Sequence, residues 1–234
     1  MGNVIALIAA AGSGSRMKIN TKKQYLNLAG QPMLARTVLL FQKNKNIDKI
    51  YVLCPLADMK FCQQVIKNHC GQFKIAGIIP GGDTRFDSIY NGISKCEIED
   101  TDKVLIHDGA RPFASQAIIN NIINKLSQKG VNGVVPGIPV KDTIKKIDGD
   151  LIVDSPPRKQ LIAAQTPQGF CAKVLKELYK MAKKDNVNNL TDDSSLLEHY
   201  GYPMHHILGE ENNFKVTTPQ DLELAQLYLK EGEK

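Results

Sequence analysis

Apolar positions along this chain switch between two periods. Short, nearly unbroken apolar runs lie at Val4 to Ala9, Lys49 to Cys54, Ile75 to Ile79, Lys103 to His107 and Gly133 to Pro136. They have the length and continuity of strands buried on both faces. Between them, Pro32 to Lys43, Asp58 to Cys70, Arg85 to Ser94 and Ser115 to Lys129 repeat apolar residues every three to four positions, the spacing of an amphipathic helix. Strand and helix in alternation predict parallel βαβ units and an α/β fold with a mostly parallel central sheet. Ligands of such sheets bind at the carboxyl ends of the strands, so the loops at Ala10 to Arg16, Gly81 to Arg85 and Asp108 to Pro112 are expected to converge.

The rhythm breaks between Pro136 and Gln168. There Val140 to Ile147 and Leu151 to Val153 flank Asp148-Gly149, a hairpin-turn signal. The expectation is a β-arm over about 136–168. An isolated two-stranded hairpin is marginal in water, which predicts that it rests on a second subunit, in a homodimer. Beyond it, helices are expected at Lys173 to Lys184 and Ser194 to Tyr200, and a strand around Phe214 to Val216. A last helix should start at Pro219, opened by the Thr218-x-x-Asp221 capping pattern.

Length and composition narrow the class. With 234 residues, 42% hydrophobic and 23% charged, the chain suits one globular domain over 1–234 and excludes disordered and fibrous readings. The longest apolar run, Val4 to Ala11, falls far short of the roughly twenty residues needed to span a bilayer. Met1-Gly2-Asn3 lacks the basic start of a secretory signal, which predicts a cytoplasmic protein. Five cysteines without a Cys-x-x-Cys pair suggest neither a disulfide framework nor a zinc site, and read as reduced, mostly buried small hydrophobes.

The net charge of +6 is local. Seven cations (Arg16, Lys18, Lys22, Lys23, Arg36, Lys43, Lys45) precede the first acid, Asp48, and the remainder holds 23 basic against 24 acidic residues. Four of the seven fall between Arg16 and Lys23 beside a glycine-rich turn. That is a pocket for one polyanion rather than a stripe along a nucleic-acid backbone. No aromatic residue lies between Met1 and Lys23 to stack a base, so no nucleic-acid partner is expected. A non-catalytic nucleotide or nucleic-acid binder is the competing class.

Three loops carry candidate chemistry. Ala10-Ala11-Gly12-Ser13-Gly14-Ser15-Arg16-Met17 follows the first strand. Its small residues admit phosphate oxygens to backbone N–H groups, and Arg16 and Lys23 can neutralise a triphosphate. The spelling fits neither a dinucleotide fingerprint nor a P-loop, and an ordinary tight turn is the plainer reading. Gly81-Gly82-Asp83-x-Arg85-x-x-Ser88 opens a helix. Its amides are candidates to read a base or ribose and Ser88 to donate to an anion; alternatively, it is a loop capped by Asp83. Asp108, after His107, suits a hard Mg²⁺ ion. The alternative is an Asp108–Arg111 ion pair beside a buried, neutral His107. His205-His206 is read as structural.

In this order, the loops resemble those of nucleotidyltransferases that activate a sugar-alcohol phosphate. Later motifs narrow the match: Lys23-Gln24-Tyr25, Leu28-x-Gly30-x-Pro32, Asp142-Thr143-Ile144-Lys145, Gln165-Thr166-Pro167-Gln168-x-Phe170, Thr191-Asp192-Asp193 and Asn213-Phe214-Lys215-Val216-Thr217. Together they resemble the 2-C-methyl-D-erythritol 4-phosphate cytidylyltransferase family of the non-mevalonate isoprenoid pathway, almost end to end. Ribitol-5-phosphate cytidylyltransferases share the loops but usually depart from Thr191-Asp192-Asp193.

The resemblance implies a single Rossmann-like nucleotidyltransferase domain. Its reaction joins CTP and the acceptor phosphate and releases pyrophosphate, with Mg²⁺ held by Asp108. Arg16, Lys23 and Lys215 match the family's charge-stabilising residues. Ala10, Ala11, Gly12, Gly14, Gly82, Asp83, Arg85, Ser88, Asp108 and Gly109 match its CTP contacts. Arg111, Thr143, Arg158 and Thr166 match its acceptor-phosphate site, with Thr143 and Arg158 supplied by the partner subunit's arm. Gly109 stands where the family usually has Ala, and Lys22 where it often has Pro. Asp192 and Asp193 are open between orienting substrate and marking a helix start.

Overall fold

The computed structural model describes residues 2–12, 22–187 and 190–232; the expected site residues Gly14 and Arg16 lie outside them. The chain opens with β1 (Val4–Ala9), a small hairpin of β2 (Asn27–Leu28) and β3 (Gln31–Pro32), then α1 (Met33–Lys43). Next come β4 (Lys49–Cys54), α2 (Met59–Cys70), β5 (Ile75–Pro80), α3 (Arg85–Lys95), β6 (Lys103–Asp108), α4 (Gln116–Leu126) and β7 (Gly133–Pro139). The second part holds β8 (Lys146–Asp148), β9 (Leu151–Asp154), β10 (Ile162–Ala164), β11 (Gln168–Cys171), α5 (Ala172–Lys184), α6 (Ser194–His199), β12 (His205–Leu208) and α7 (Pro219–Gly232).

The main sheet runs β10-β7-β11-β6-β1-β4-β5, with β12 also paired to β7. β6, β1, β4 and β5 are parallel, whereas β11 runs antiparallel between β6 and β7. One buried cluster on the sheet packs Ala6, Ile8 and Val52 against α1 and α4 through Phe41, Ile119 and Ile122. A second packs Ile5, Leu7 and Leu53 with Ile89, Leu175 and Tyr179. Both faces are covered, which is why these strands read as continuous apolar runs. The chain steps outward from β1 to β4 and β5, then returns to β6 on the other side of β1. That reversal opens a crevice at the carboxyl ends of β1 and β6.

Several boundaries differ from expectation. α4 stops at Leu126, where the Ser127 hydroxyl donates back to the Ile123 carbonyl and Gly130 turns at φ +84°. β7 runs three residues longer than expected because β10 pairs with its end. The first strand of the β8–β9 hairpin begins only at Lys146. Phe214 to Val216 is not a strand: Val216 reaches the sheet region through one N–H to Ala110 O at 2.9 Å. The strand that pairs in this part of the chain is β12, which contains His205 and His206. The expected capping at α7 is present, with Asp221 N–H donating to Thr218 Oγ1 and Thr218 N–H to Asp221 Oδ2.

A candidate nucleotide site at the crevice between β1 and β6

The three loops meet. One cavity is lined by Ala9 to Gly12 from the first, Gly82 to Arg85 and Ser88 from the second, and Asp108 to Ala110 from the third. Lys23, Gln24 and Lys215 close it. Gln24, a member of the Lys23-Gln24-Tyr25 motif, and Thr84 join the cavity without being among the expected site residues. Gln24 is buried and donates through Nε2 to the Ala10 carbonyl at 2.9 Å, tying the Lys23–Tyr25 turn to the end of β1. Its place inside the Lys-Gln-Tyr motif was the available signal.

The Gly81-Gly82 turn works differently from the expectation. Gly81 N–H donates to Cys54 O at 2.8 Å and Gly82 N–H to Ser88 Oγ at 3.0 Å, so both amides are spent within the protein. The Ser88 hydroxyl is likewise within 2.8 Å of Thr84 O. The glycines are required sterically: a Cβ at 81 would stand 2.5 Å from Ala11 Cβ, and one at 82 would overlap Asp87 Cβ. Thr84, not Asp83, caps α3, accepting from Asp87 N–H at 3.0 Å.

Asp108 organises the charge. Lys215 Nζ lies 2.7 Å from its carboxylate, Arg85 Nε 3.5 Å and Arg111 Nε 3.7 Å. Burial alone would raise this carboxyl, but Arg85, Lys215 and Arg111 hold it well below the usual carboxylate range. Burial lowers the Arg111 guanidinium from its ordinary value. Arg111 does not line the cavity; it packs behind Asp108 and donates to Asn213 O at 2.7 Å. Thr166 is also behind the wall: Asp108 N–H donates to its Oγ1 at 3.1 Å, and its hydroxyl meets His107 Nδ1 at 2.9 Å. His107 Nε2 lies 2.9 Å from Arg111 O. A neutral ring protonated on Nε2 satisfies both contacts.

Burial holds His107 neutral, pushed down to about 4, against about 6.5 in an unfolded chain. As pH falls, the unfolded chain takes up this proton first. The stability that neutral His107 contributes is therefore full above pH 6.5 and lost between 6.5 and 4, on the order of 3 kcal/mol. Denaturant titrations from pH 7 to 4 should show that slope, and a His107→Gln variant should lack it. The same slope in the variant would refute the assignment.

Two departures from the family spelling acquire local meaning. A Cβ at Gly109 would lie 3.2 Å from Ala10 Cβ and Ala9 O and 3.3 Å from Leu34 Cδ1, so alanine here requires its neighbours to give by a few tenths of an ångström. Lys22 adds no charge to the cavity, because Nζ pairs with both Asp58 oxygens at 2.7 Å. Its backbone, at φ −60° and ψ 131°, already has the geometry of proline. Lys22→Pro therefore exchanges a half-exposed ion pair for lost unfolded-state entropy, and should change stability by less than about 1 kcal/mol. Urea unfolding checks this; a loss above about 2 kcal/mol would contradict it.

Thr143 and Arg158 lie away from the cavity, both exposed. Arg158 Nη1 donates to Lys141 O at 2.7 Å across the base of the β8–β9 hairpin. Every residue of that hairpin is exposed, including Ile147, Leu151, Ile152 and Val153. All five cysteines are free, and burial pushes the Cys70 and Cys96 thiols up to about 12. No helix among the described residues is long and apolar enough to cross a membrane.

Solved structures with this fold include a 4-diphosphocytidyl-2C-methyl-D-erythritol synthase from Anaerococcus prevotii, at TM-score 0.84 and 31% identity over 98% of this chain and 96% of that one. The Francisella tularensis 2-C-methyl-D-erythritol 4-phosphate cytidylyltransferase superposes at TM-score 0.82 with 30% identity, covering 97% and 99%. Fold and crevice together define an α/β nucleotidyltransferase. The family model for 2-C-methyl-D-erythritol 4-phosphate cytidylyltransferase matches residues 4–231. Relatives of that name from Geotalea uraniireducens (37% identity; 97% of both chains) and Clostridioides difficile (41%; 95% of this chain, 92% of the relative) match along nearly their whole length. The chain belongs to the 2-C-methyl-D-erythritol 4-phosphate cytidylyltransferase family.

Proposed function

We propose that the crevice between β1 and β6 is where this chain joins CTP and 2-C-methyl-D-erythritol 4-phosphate, giving 4-diphosphocytidyl-2-C-methyl-D-erythritol and pyrophosphate. The observation that carries the assignment is the convergence of Lys23, Arg85 and Lys215 on one strand-end cavity around Asp108. An oxygen of the acceptor phosphate attacks the α-phosphorus in line, and the protein positions the reactants and neutralises charge. Lys23 and Lys215 face the triphosphate, and Arg16, outside the described residues, is assigned to the same charge-neutralising role from its sequence position alone. Ala10, Ala11, Gly12, Gly82, Asp83, Arg85, Ser88 and Gly109 shape the CTP site, and Gly14 is assigned to it from the sequence alone. Gly82 and Ser88 act through turn geometry, since their polar groups are engaged.

Mg²⁺ fits the donor set. Among the described residues there is no cluster of three or more His, Cys, Asp or Glu that would enclose a metal. Two carboxylates, Asp83 and Asp108, line the cavity, which suits an ion that takes one or two of them and completes its shell with phosphate oxygens and water. Asp108 would hold it, and the bound ion would offset phosphate charge. Residues 1–234 act as one domain in this reading. The exposed apolar hairpin packs on a second copy and brings Thr143 and Arg158 to the partner's acceptor phosphate, where Arg111 and Thr166 act from behind Asp108, Thr166 through its hydrogen bond to the Asp108 N–H. Sedimentation at micromolar concentration should give a two-chain mass; a single-chain mass would remove the dimer.

The deciding assay offers CTP and Mg²⁺ with methylerythritol phosphate or ribitol 5-phosphate, with ATP, GTP and UTP as controls. Pyrophosphate release with CTP and methylerythritol phosphate is expected. Release with ribitol phosphate alone would move the acceptor, and silence with every pair would overturn the reading.

A further inference from the structure

The Thr191-Asp192-Asp193 motif divides its two acids between unrelated tasks. Asp192 belongs to the start of α6: its Oδ1 accepts from Ser195 N–H at 2.9 Å, and the Ser194 hydroxyl lies 2.9 Å from both its oxygens. Asp193 turns the other way, and its side chain is fully buried. One carboxylate oxygen accepts from the Tyr179 hydroxyl at 2.6 Å and the other from Arg85 Nη2 at 2.6 Å. Tyr179, in α5, is itself buried, with its ring stacked on Phe86 at 4.9 Å. Arg85 in turn lines the cavity, with Nε 3.5 Å from Asp108.

A buried carboxylate is a poor stabiliser: apolar residues of similar volume serve a core as well or better. What it supplies is direction, because the planar guanidinium is hydrogen-bonded at Nη2 to Asp193 and ion-paired at Nε with Asp108, which together restrict its plane. A triphosphate beside an untethered arginine would meet a side chain with several rotamers to lose on binding.

We infer that Asp193 and Tyr179 are positioning residues for Arg85, forming a Tyr179–Asp193–Arg85 line that fixes the guanidinium where CTP meets it. The inference rests on the cavity being the CTP site. Neither residue touches the nucleotide; each acts through Arg85.

The test is a double-mutant cycle in CTP kinetics. Tyr179→Phe removes one hydroxyl and leaves the ring stack. It should raise KM for CTP by about tenfold, the scale for losing one hydrogen bond to a charged group, with kcat within about twofold and the acceptor KM unchanged. In an Arg85→Ala background the same substitution should leave KM for CTP where Arg85→Ala alone puts it. Asp193→Asn, where it folds, should repeat the pattern. Equal KM factors in both backgrounds, or an unchanged KM in Tyr179→Phe alone, would overturn the inference while wild-type turnover left the CTP reading intact. Wild-type protein without CTP turnover would overturn both.

Discussion

Lys23→Ala is expected to lower kcat about a hundredfold or more, the scale for removing one preorganised charge contact to a transition state. Lys23 opens a tight turn whose backbone is closed by Tyr25 N–H to Lys22 O at 3.0 Å and Leu26 N–H to Lys23 O at 3.2 Å. That turn is anchored below by Gln24 on the Ala10 carbonyl. The ammonium is thus presented from a fixed base, so its loss should appear as missing transition-state stabilisation rather than a rearranged loop. Steady-state kinetics with saturating CTP and acceptor measure it. Lys23→Arg should recover part of the rate, and near-wild-type kcat in Lys23→Ala would contradict the role.

Asp108→Asn should be the most damaging change to the fold near the site. It removes the charge around which Arg85, Arg111 and Lys215 gather. Breaking a buried charge pair from one side costs about 3–5 kcal/mol, and because Arg85 and Lys215 are each about a third exposed the loss here should fall at the low end of that range. Here the remaining cations also repel one another. Turnover should fall with stability, since the same carboxylate is the proposed Mg²⁺ ligand. A polyanion is the natural substitute for the missing charge, so saturating CTP should raise the melting temperature of the variant more than that of the wild type. A variant as stable as wild type in urea, or one gaining no extra protection from CTP, would show that Asp108 is not the counterion of this cluster.

Legibility in the sequence followed burial. β1, β4, β5 and β6 were readable because helices cover both faces of the sheet, and the helices because only one face of each is apolar. β11 was not. Its Gln-Gly-Phe-Cys has no clear alternation, and it is a strand because β6 and β7 flank it. Gly169 fits there because Ile122 of α4 fills the space a side chain would need. β12 reads as a polar pair of histidines until β7 supplies its partner. Such strands are set by tertiary context rather than propensity.

The site shows the same division. Convergence of the three loops followed from topology, and the cations followed from composition. The uses of the Gly81 and Gly82 amides, the burial of Arg111 and Thr166 behind Asp108, and the pairing of Arg85 with Asp193, 108 residues away, depend on distances that no local pattern encodes.

Among these assignments the central one is chemical: the crevice aligns the acceptor phosphate with the α-phosphorus and supplies charge, with no side-chain nucleophile. The stereochemical course at phosphorus tests it most directly. CTP carrying a single diastereomeric sulfur at the α-phosphorus, reacted with methylerythritol phosphate and the product configuration read by ³¹P NMR, should give inversion, the mark of one in-line displacement. Retention would mean that a residue of this chain had carried the cytidylyl group in a covalent intermediate, and would contradict the account.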